Sequence, residues 1–212
     1  MLHDVEASHG VGRLAVPSRA VPPSGQGSGI RAAVRDATRE VHERLHGHPG
    51  FRAVAEGAVS RPDYQMLLGR LHGFHVAMER AARWNGWRSA SLRDDLAWLG
   101  ASLSEIEALP VLTGLSDVGS PERRAGALYV VEGSALGGRV LAQALRPLLG
   151  EGPAGRSFFL GVDGPPGAWR ACLEQMEQLA LCPAARQEII DAARATFSAF
   201  ETWLAGWRPG HE

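Results

Sequence analysis

Lysine is absent from this sequence, in which all 22 basic residues are arginine. Its absence excludes catalysis through a lysine Schiff base. Cysteine is scarce: Cys172 and Cys182 show neither CxxC nor zinc-ligand spacing, and we expect both thiols to stay unpaired, as in a cytoplasmic protein. No run of about 18 apolar residues is present, and the N-terminus lacks the basic-then-apolar order of a signal peptide, so we expect no membrane association.

The composition indicates a single globular domain. Hydrophobic residues make up 45% and charged residues 21% of the 212 positions, which are ordinary proportions for a protein with its own core. The formal net charge of −1 does not favour nucleic acid as a partner. Residues 1–28 are rich in glycine, proline and serine, and we predict a flexible N-terminal tail there, followed by one helical domain over residues 29–212.

Hydrophobic residues recur at helical spacing along that domain, whereas the alternating runs typical of strands are short. We therefore predict an all-α fold. Two helix starts are marked by a serine N-cap with proline close behind it, at Ser60 and Ser120. The predicted helices span residues 30–45, 62–84, 91–99, 121–149, 168–179 and 183–207, with a weak turn at residues 104–108.

Three glycines interrupt the predicted helix over residues 121–149. Each glycine in a helix interior costs about 1 kcal/mol relative to alanine, so Gly133, Gly137 and Gly138 together cost about 3 kcal/mol. Gly133 and Gly137 are four residues apart and share one helix face, which leaves the backbone bare on that side. A broad, flat ligand could lie against such a face. Tight helix–helix packing uses the same spacing and remains the alternative.

The first predicted helix carries a histidine at the edge of its apolar face. Ile30, Val34 and Leu45 lie on the buried stripe, and His42 lies just beyond it, next to Thr38. A histidine at this edge can present a ring nitrogen to a metal held between two helices, although such a residue is also common as a structural or surface group.

A second metal site is conceivable on the same helix. Glu43 and His46 have the Glu-x-x-His spacing of di-iron carboxylate bundles, and His72 and His75 could add two nitrogens. The predicted helical domain over residues 29–212 has no second Glu-x-x-His motif and no matching carboxylates. A di-metal oxidase therefore stays open as an alternative function.

Four segments, in order, resemble one enzyme family. Residues 37–42 (ATREVH) are similar to the segment that carries the proximal haem-ligand histidine of haem oxygenases. Residues 129–140 (YVVEGSALGGRV) resemble the distal helix of the bacterial, biliverdin-producing branch. Residues 157–161 with Trp169 and Arg170, and the helix from residue 183 to 197, are also similar. The resemblance covers roughly residues 30–205.

The resemblance implies a fold and a reaction. Haem would lie between a proximal helix carrying His42 as the iron ligand and a distal helix in which Gly133, Ser134 and Gly137 serve catalysis. The reaction would convert haem to biliverdin, carbon monoxide and ferrous iron with O2 and electrons from an external donor, such as a ferredoxin or a flavin reductase. A phytochrome could accept the biliverdin. The other residues expected to contact haem or its propionates are Thr38, Gly138, Tyr129, Arg31, Arg35 and Arg170.

Two positions depart from mammalian members of the family. These members carry an aspartate directly after the first distal glycine, where this chain has Ser134, and a hydroxyl cannot supply a carboxylate. They also carry a glutamate one turn after the proximal histidine, where this chain has His46. A haem carrier or sensor without catalysis, on the same fold, is therefore an alternative function.

Overall fold

The computed structural model describes residues 29–205, 207 and 210, and the predicted N-terminal tail lies outside them. The described residues contain eleven α-helices and no strand, as the sequence predicted. In chain order the helices are α1 (Ile30–Ala37), α2 (Arg39–His46), α3 (Pro49–Ala55), α4 (Arg61–Ala82), α5 (Trp87–Trp98), α6 (Leu103–Glu107), α7 (Pro121–Ala144), α8 (Arg146–Leu149), α9 (Ser157–Leu160), α10 (Ala168–Leu179) and α11 (Pro183–Leu204).

Serine side chains start two of the three longest helices, α4 and α7, where the sequence predicted. The Ser60 hydroxyl accepts the Asp63 N–H at the start of α4, and Ser120 accepts the Arg123 N–H at the start of α7. Both satisfy an N–H group that the helix itself leaves without a partner.

The first predicted helix is divided in two at Thr38. The Thr38 hydroxyl donates to the Val34 carbonyl at 2.8 Å, which competes with the regular backbone pattern and bends the chain between α1 and α2. The second half ends at His46 with Gly47 as its C-cap, and α3 follows directly, where the His48 ring accepts the Gly50 N–H at 3.2 Å. The glycine-bearing helix ends at Ala144 rather than Leu149, because Pro147 lacks an N–H.

Helices α7 and α11 form the centre of the protein. They approach so closely that a Cβ on Gly126 would lie 2.2 Å from the Ile189 carbonyl oxygen, so only glycine fits there. Helix α10 packs against α7, α1 packs against α10 and α11, and α2 packs against α11. Cys172 is buried in α10 and Cys182 is exposed, and both are free thiols as expected. Among the described helices, none is long and apolar enough to cross a membrane.

Candidate functional site

His42 lies on α2 with its ring partly open to solvent. Phe197 of α11 meets the imidazole edge-on, with the ring centroids 6.0 Å apart and the planes at 86°. His46, one turn further along α2, lies 4.5 Å away between centroids. Partial burial, together with the charge that His46 can carry, holds the pKa of His42 below its ordinary value. Both effects favour the neutral ring, which is the form that ligates metals.

Thr38 does not present its hydroxyl to the site. The side chain is buried, and its hydrogen bond to the Val34 carbonyl uses its one donor. Its main chain supports His42 instead, because the His42 N–H donates to the Thr38 carbonyl at 3.1 Å. Thr38 therefore shapes the start of the helix that carries His42.

The second half of α7 presents an open apolar face. A Cβ added to Gly137 would meet no described atom within 4 Å. Leu136 and Val140 flank it on the same face and are 59% and 67% exposed. Exposed aliphatic side chains beside a bare backbone are typical of a binding surface for an apolar ligand.

The other two glycines of this segment are in contact with neighbouring elements. The bare side of Gly133 faces the indole of Trp169 on α10, where a Cβ would lie 3.4 Å from the nearest ring atom. Gly138 is buried against α9, where a Cβ would lie 2.7 Å from the Phe159 carbonyl oxygen. Gly138 therefore serves close packing between α7 and α9, while Gly137 leaves the open face bare and Gly133 lies at its edge.

Ser134 lies on α7 at the border of the open face and is exposed. Its hydroxyl donates to the Val131 carbonyl at 2.8 Å, within its own helix. The oxygen keeps its lone pairs and can accept a hydrogen bond from water or a ligand.

Cationic and aromatic side chains meet at one end of the open face. The Arg31 guanidinium lies over the Trp169 ring at 6.0 Å, and the Tyr129 ring lies 5.2 Å from the same indole. Burial raises the pKa of Tyr129, and the nearby charges of Arg31 and Arg35 oppose that rise. The structure thus brings Arg31, Arg35 and Tyr129 together, and the two exposed guanidiniums suit carboxylates.

Arg170 is not part of this group. Although it follows Trp169 in the sequence, its guanidinium lies 3.9 Å from the Glu174 carboxylate and is highly exposed. It also lies near the Gly167 main chain. The structure shows no contact between Arg170 and Arg31, Arg35 or Tyr129.

Contacts with α10 and α11 fix the positions of α2, which carries His42, and α7, which carries Gly137. Phe197 of α11 contacts His42, and the main chain of the same helix contacts α7 at Gly126. One apolar cluster joins α1, α2, α7, α10 and α11 beneath the site; its buried members include Ile30, Val34, Val41, Leu45, Val130, Met176, Ile189 and Ala193. Because the cluster spans all five helices, it fixes the positions of the helices that carry His42 and Gly137.

The residues of the alternative metal site are not brought together. His75 of α4 is buried between Phe74 and Phe158, whereas Glu43 and His46 are exposed on α2. In the part of the chain that the structure describes, no three His, Cys, Asp or Glu side chains converge as metal ligands. The geometry gives the di-metal alternative no support.

Some residues of the site were not predicted from the sequence. Trp169 lies against Arg31 of α1 and Gly133 of α7, and Phe197 meets the ring of His42 edge-on. Both aromatic residues follow an ordinary helical pattern in the sequence. Leu136 and Val140 could have been found, because they lie three residues from Gly133 and Gly137 respectively and so extend the same helix face.

Comparison with known proteins agrees with the resemblance. The family model described as heme oxygenase matches residues 28–206. The chain is 32% identical over 166 residues to a heme oxygenase of Xanthomonas campestris, covering 73% of this chain and 96% of that protein. It is 26% identical over 203 residues to heme oxygenase 1 of Homo sapiens, covering 82% of this chain and 70% of that protein.

Solved structures share the fold. Heme oxygenase-1 of the cyanobacterium Synechocystis, crystallised in complex with heme, superposes with a TM-score of 0.64 at 18% identity, covering 84% of this chain and 93% of that one. The heme oxygenase of Leptospira interrogans superposes with a TM-score of 0.65 at 16% identity, covering 84% of this chain and 99% of that one.

Proposed function

The chain belongs to the haem oxygenase family of oxidoreductases, whose function is the degradation of haem to biliverdin, and we propose that haem binds between α2 and α7 of this protein with His42 as its iron ligand. Two observations carry the proposal: an accessible imidazole on α2, at His42, and a bare, apolar helix face on α7, at Gly137. These two features suit the metal and the flat, apolar ring of one ligand.

The proximal side of the site would hold the iron through one imidazole nitrogen. Phe197 restricts rotation of the His42 ring through its edge-on contact, and the lowered pKa of His42 favours the neutral ring. His46 stands beside it and can accept a hydrogen bond from the His42 ring N–H, which would strengthen the electron donation of the ligand.

The distal side would cover the haem with backbone rather than side chains. A Cβ at Gly137 would meet no described atom within 4 Å, so a small molecule could approach the iron. Leu136 and Val140 would contact the apolar macrocycle. Ser134 can accept a hydrogen bond from an ordered water, although it supplies no carboxylate.

The propionates of haem would meet the cationic end of the site. Arg31 and Arg35 present two exposed guanidiniums there, and Tyr129 adds a hydroxyl donor. A guanidinium can bind a carboxylate through two parallel hydrogen bonds, which would set the direction in which the propionates point.

The complete reaction needs partners outside this chain. Oxidation of haem by O2 consumes electrons, which we propose come from an external donor such as a ferredoxin or a flavin reductase. Biliverdin could pass to a phytochrome. The two free thiols, Cys172 and Cys182, fit a reducing compartment, and we place the enzyme in the cytoplasm.

The test is addition of haemin to the purified protein, followed by reductant in air. We expect a visible spectrum of imidazole-ligated haem on binding and release of biliverdin on reduction. A haem spectrum that persists under reductant and O2 would favour the carrier or sensor. Failure to bind haem, with non-haem iron bound instead, would favour the di-metal oxidase.

A further inference from the structure

A buried ion pair lies next to the glycine-bearing segment of α7. The Arg88 Nη2 of α5 donates to the Glu132 Oε2 of α7 at 2.9 Å, and the two residues are 3% and 8% exposed. Glu132 immediately precedes Gly133 in the sequence. The ion pair therefore contacts α7 at the residue directly before residues 133–138, the glycine-containing part in which the helix is intrinsically less stable.

Arg88 is itself held firmly by a second carboxylate. The Glu79 Oε1 of α4 accepts the main-chain N–H groups of Arg88 and Ser89, each at 3.1 Å. The N-cap of α5 is Gly86, which has no capping side chain, so Glu79 performs that function from a neighbouring helix. The Arg88 guanidinium also lies over the Trp87 ring at 4.3 Å. These contacts fix the start of α5 and, with it, the Arg88 guanidinium.

The ion pair crosses a gap between helices. A cavity of about 260 Å³ is lined by Glu79, Trp84, Trp87, Arg88, Leu128, Glu132, Ala168 and Gln175, among others. Helix α5 packs against α4, α6 and α9, and the hydrogen bond between Arg88 and Glu132 joins it to α7. The pair thus links α5 to α7 where apolar packing between the two helices is incomplete.

A buried ion pair is in itself weak evidence for a stabilising role. Removing two charges from water is costly, and replacing a buried ion pair with apolar residues of similar size is often neutral or stabilising. A directional contact between charged groups, by contrast, specifies one relative position of the elements that carry them. A fixed position matters here, because the adjacent glycines lower the intrinsic helix stability of residues 133–138.

We propose that Arg88 and Glu132 are positioning residues, which set the placement of residues 133–138 against the haem without touching it. The inference rests on the proposed haem site between α2 and α7. Glu79 fixes the main chain of Arg88, and the Arg88 guanidinium binds the Glu132 carboxylate. Glu132 in turn fixes the start of residues 133–138. No atom of the pair needs to change its protonation state during the reaction.

The test replaces the pair by apolar residues in the double variant Arg88→Met/Glu132→Leu. Amide hydrogen exchange of the haem-free protein, followed by mass spectrometry, reports the stability of residues 133–138 directly. We expect exchange there about tenfold faster than in the wild type, with an unchanged or higher unfolding temperature. In the ferrous haem complex with carbon monoxide, used as a probe, we expect the C–O stretching band to shift or broaden.

The control is Arg44→Met/Glu201→Leu, which removes a more exposed ion pair of 2.6 Å between α2 and α11. Exchange of residues 133–138 should stay at the wild-type rate in this control. If the Arg88/Glu132 double variant does not fold, Glu132→Gln, which keeps the side-chain shape and loses the charge, is judged by the same two measurements.

The proposal would be overturned if a folded Arg88/Glu132 double variant showed the wild-type exchange rate at residues 133–138 and the wild-type C–O band. The ion pair would then be only a packing element. A wild-type protein that fails to bind haem would instead refute the proposed function. These two failures are distinct, because the exchange measurement needs no haem.

Discussion

The rings of His42 and Phe197 meet edge-on, with their centroids 6.0 Å apart and their planes at 86°. Phe197 belongs to α11, which also packs against α7, so this contact links the position of the imidazole to the helix on the other side of the site. A ring held in this way would lose little rotational freedom on binding the iron for which it is proposed as ligand, which favours ligation.

His42→Ala should abolish imidazole ligation of the haem iron while leaving the fold intact. The residue lies at the edge of the apolar face, and we expect the free energy of unfolding to change by less than about 0.5 kcal/mol. Biliverdin formation should fall sharply, and added imidazole should restore part of it by occupying the space that the side chain leaves. Visible spectra and product yield, with and without imidazole, measure both effects.

His46→Ala is the matched control for this prediction, because the second histidine lies one turn away on the same helix. We expect its haem complex to keep the imidazole-ligated spectrum. Loss of that spectrum in the His46 variant, with the His42 variant unaffected, would transfer the ligand assignment to His46.

Gly137→Leu should reduce haem oxidation more than it affects folding. Leucine is the better helix former by up to about 1 kcal/mol, and no described atom lies within 4 Å of the added Cβ. The leucine side chain would, however, fill the space proposed for the haem. Comparison of the unfolding temperature with the rate of biliverdin formation checks both parts. A less stable variant with normal turnover would mean that Gly137 serves packing.

Gly138→Ala should show the opposite behaviour. Its added methyl group would lie 2.7 Å from the Phe159 carbonyl oxygen, so α7 and α9 would have to move apart. Overpacking of this kind costs about 1–3 kcal/mol. Thermal unfolding should reveal that loss, and an unchanged unfolding temperature would contradict the close approach of the two helices.

Trp169→Ala should weaken haem retention. The indole touches Gly133 and lies beneath Arg31, so its removal opens the site at the end proposed for the propionates. Loss of one aromatic contact corresponds to about a tenfold faster dissociation of haem. Transfer of haem to an apo-globin measures the rate. Trp169→Phe, which keeps an aromatic ring, should stay close to the wild type.

Acid stability should depend on His75. Burial, and then the charges of Arg88 and His72, hold the pKa of His75 well below its ordinary value. Below a pH of about 6.5 the unfolded chain therefore binds a proton at His75 that the folded protein does not bind. As the pH is lowered further, the free energy of unfolding decreases by up to about 1.4 kcal/mol for each pH unit. His75→Leu should flatten this dependence in denaturant titrations between pH 7 and 5, and an unchanged slope would contradict the role of His75.

The sequence by itself determined the helical class and the elements on which the site stands. Apolar spacing placed His42 at the edge of a buried stripe, and the serine caps at positions 60 and 120 were confirmed in the structure. These features depend on contacts within four residues along one helix, so a sequence pattern can specify them. The open side of Gly137 agrees with the bare face that the glycine spacing predicted.

Only the tertiary structure decided which side of each helix is covered. Gly137 and Gly138 are neighbours in the sequence, yet one faces open space and the other the Phe159 main chain, because α9 packs on one side of α7 alone. Likewise, Arg88 and Glu132 are 44 residues apart and form a pair only because α5 and α7 border the same cavity. Contacts between distant segments depend on the packing of whole helices, which no local pattern of residues encodes.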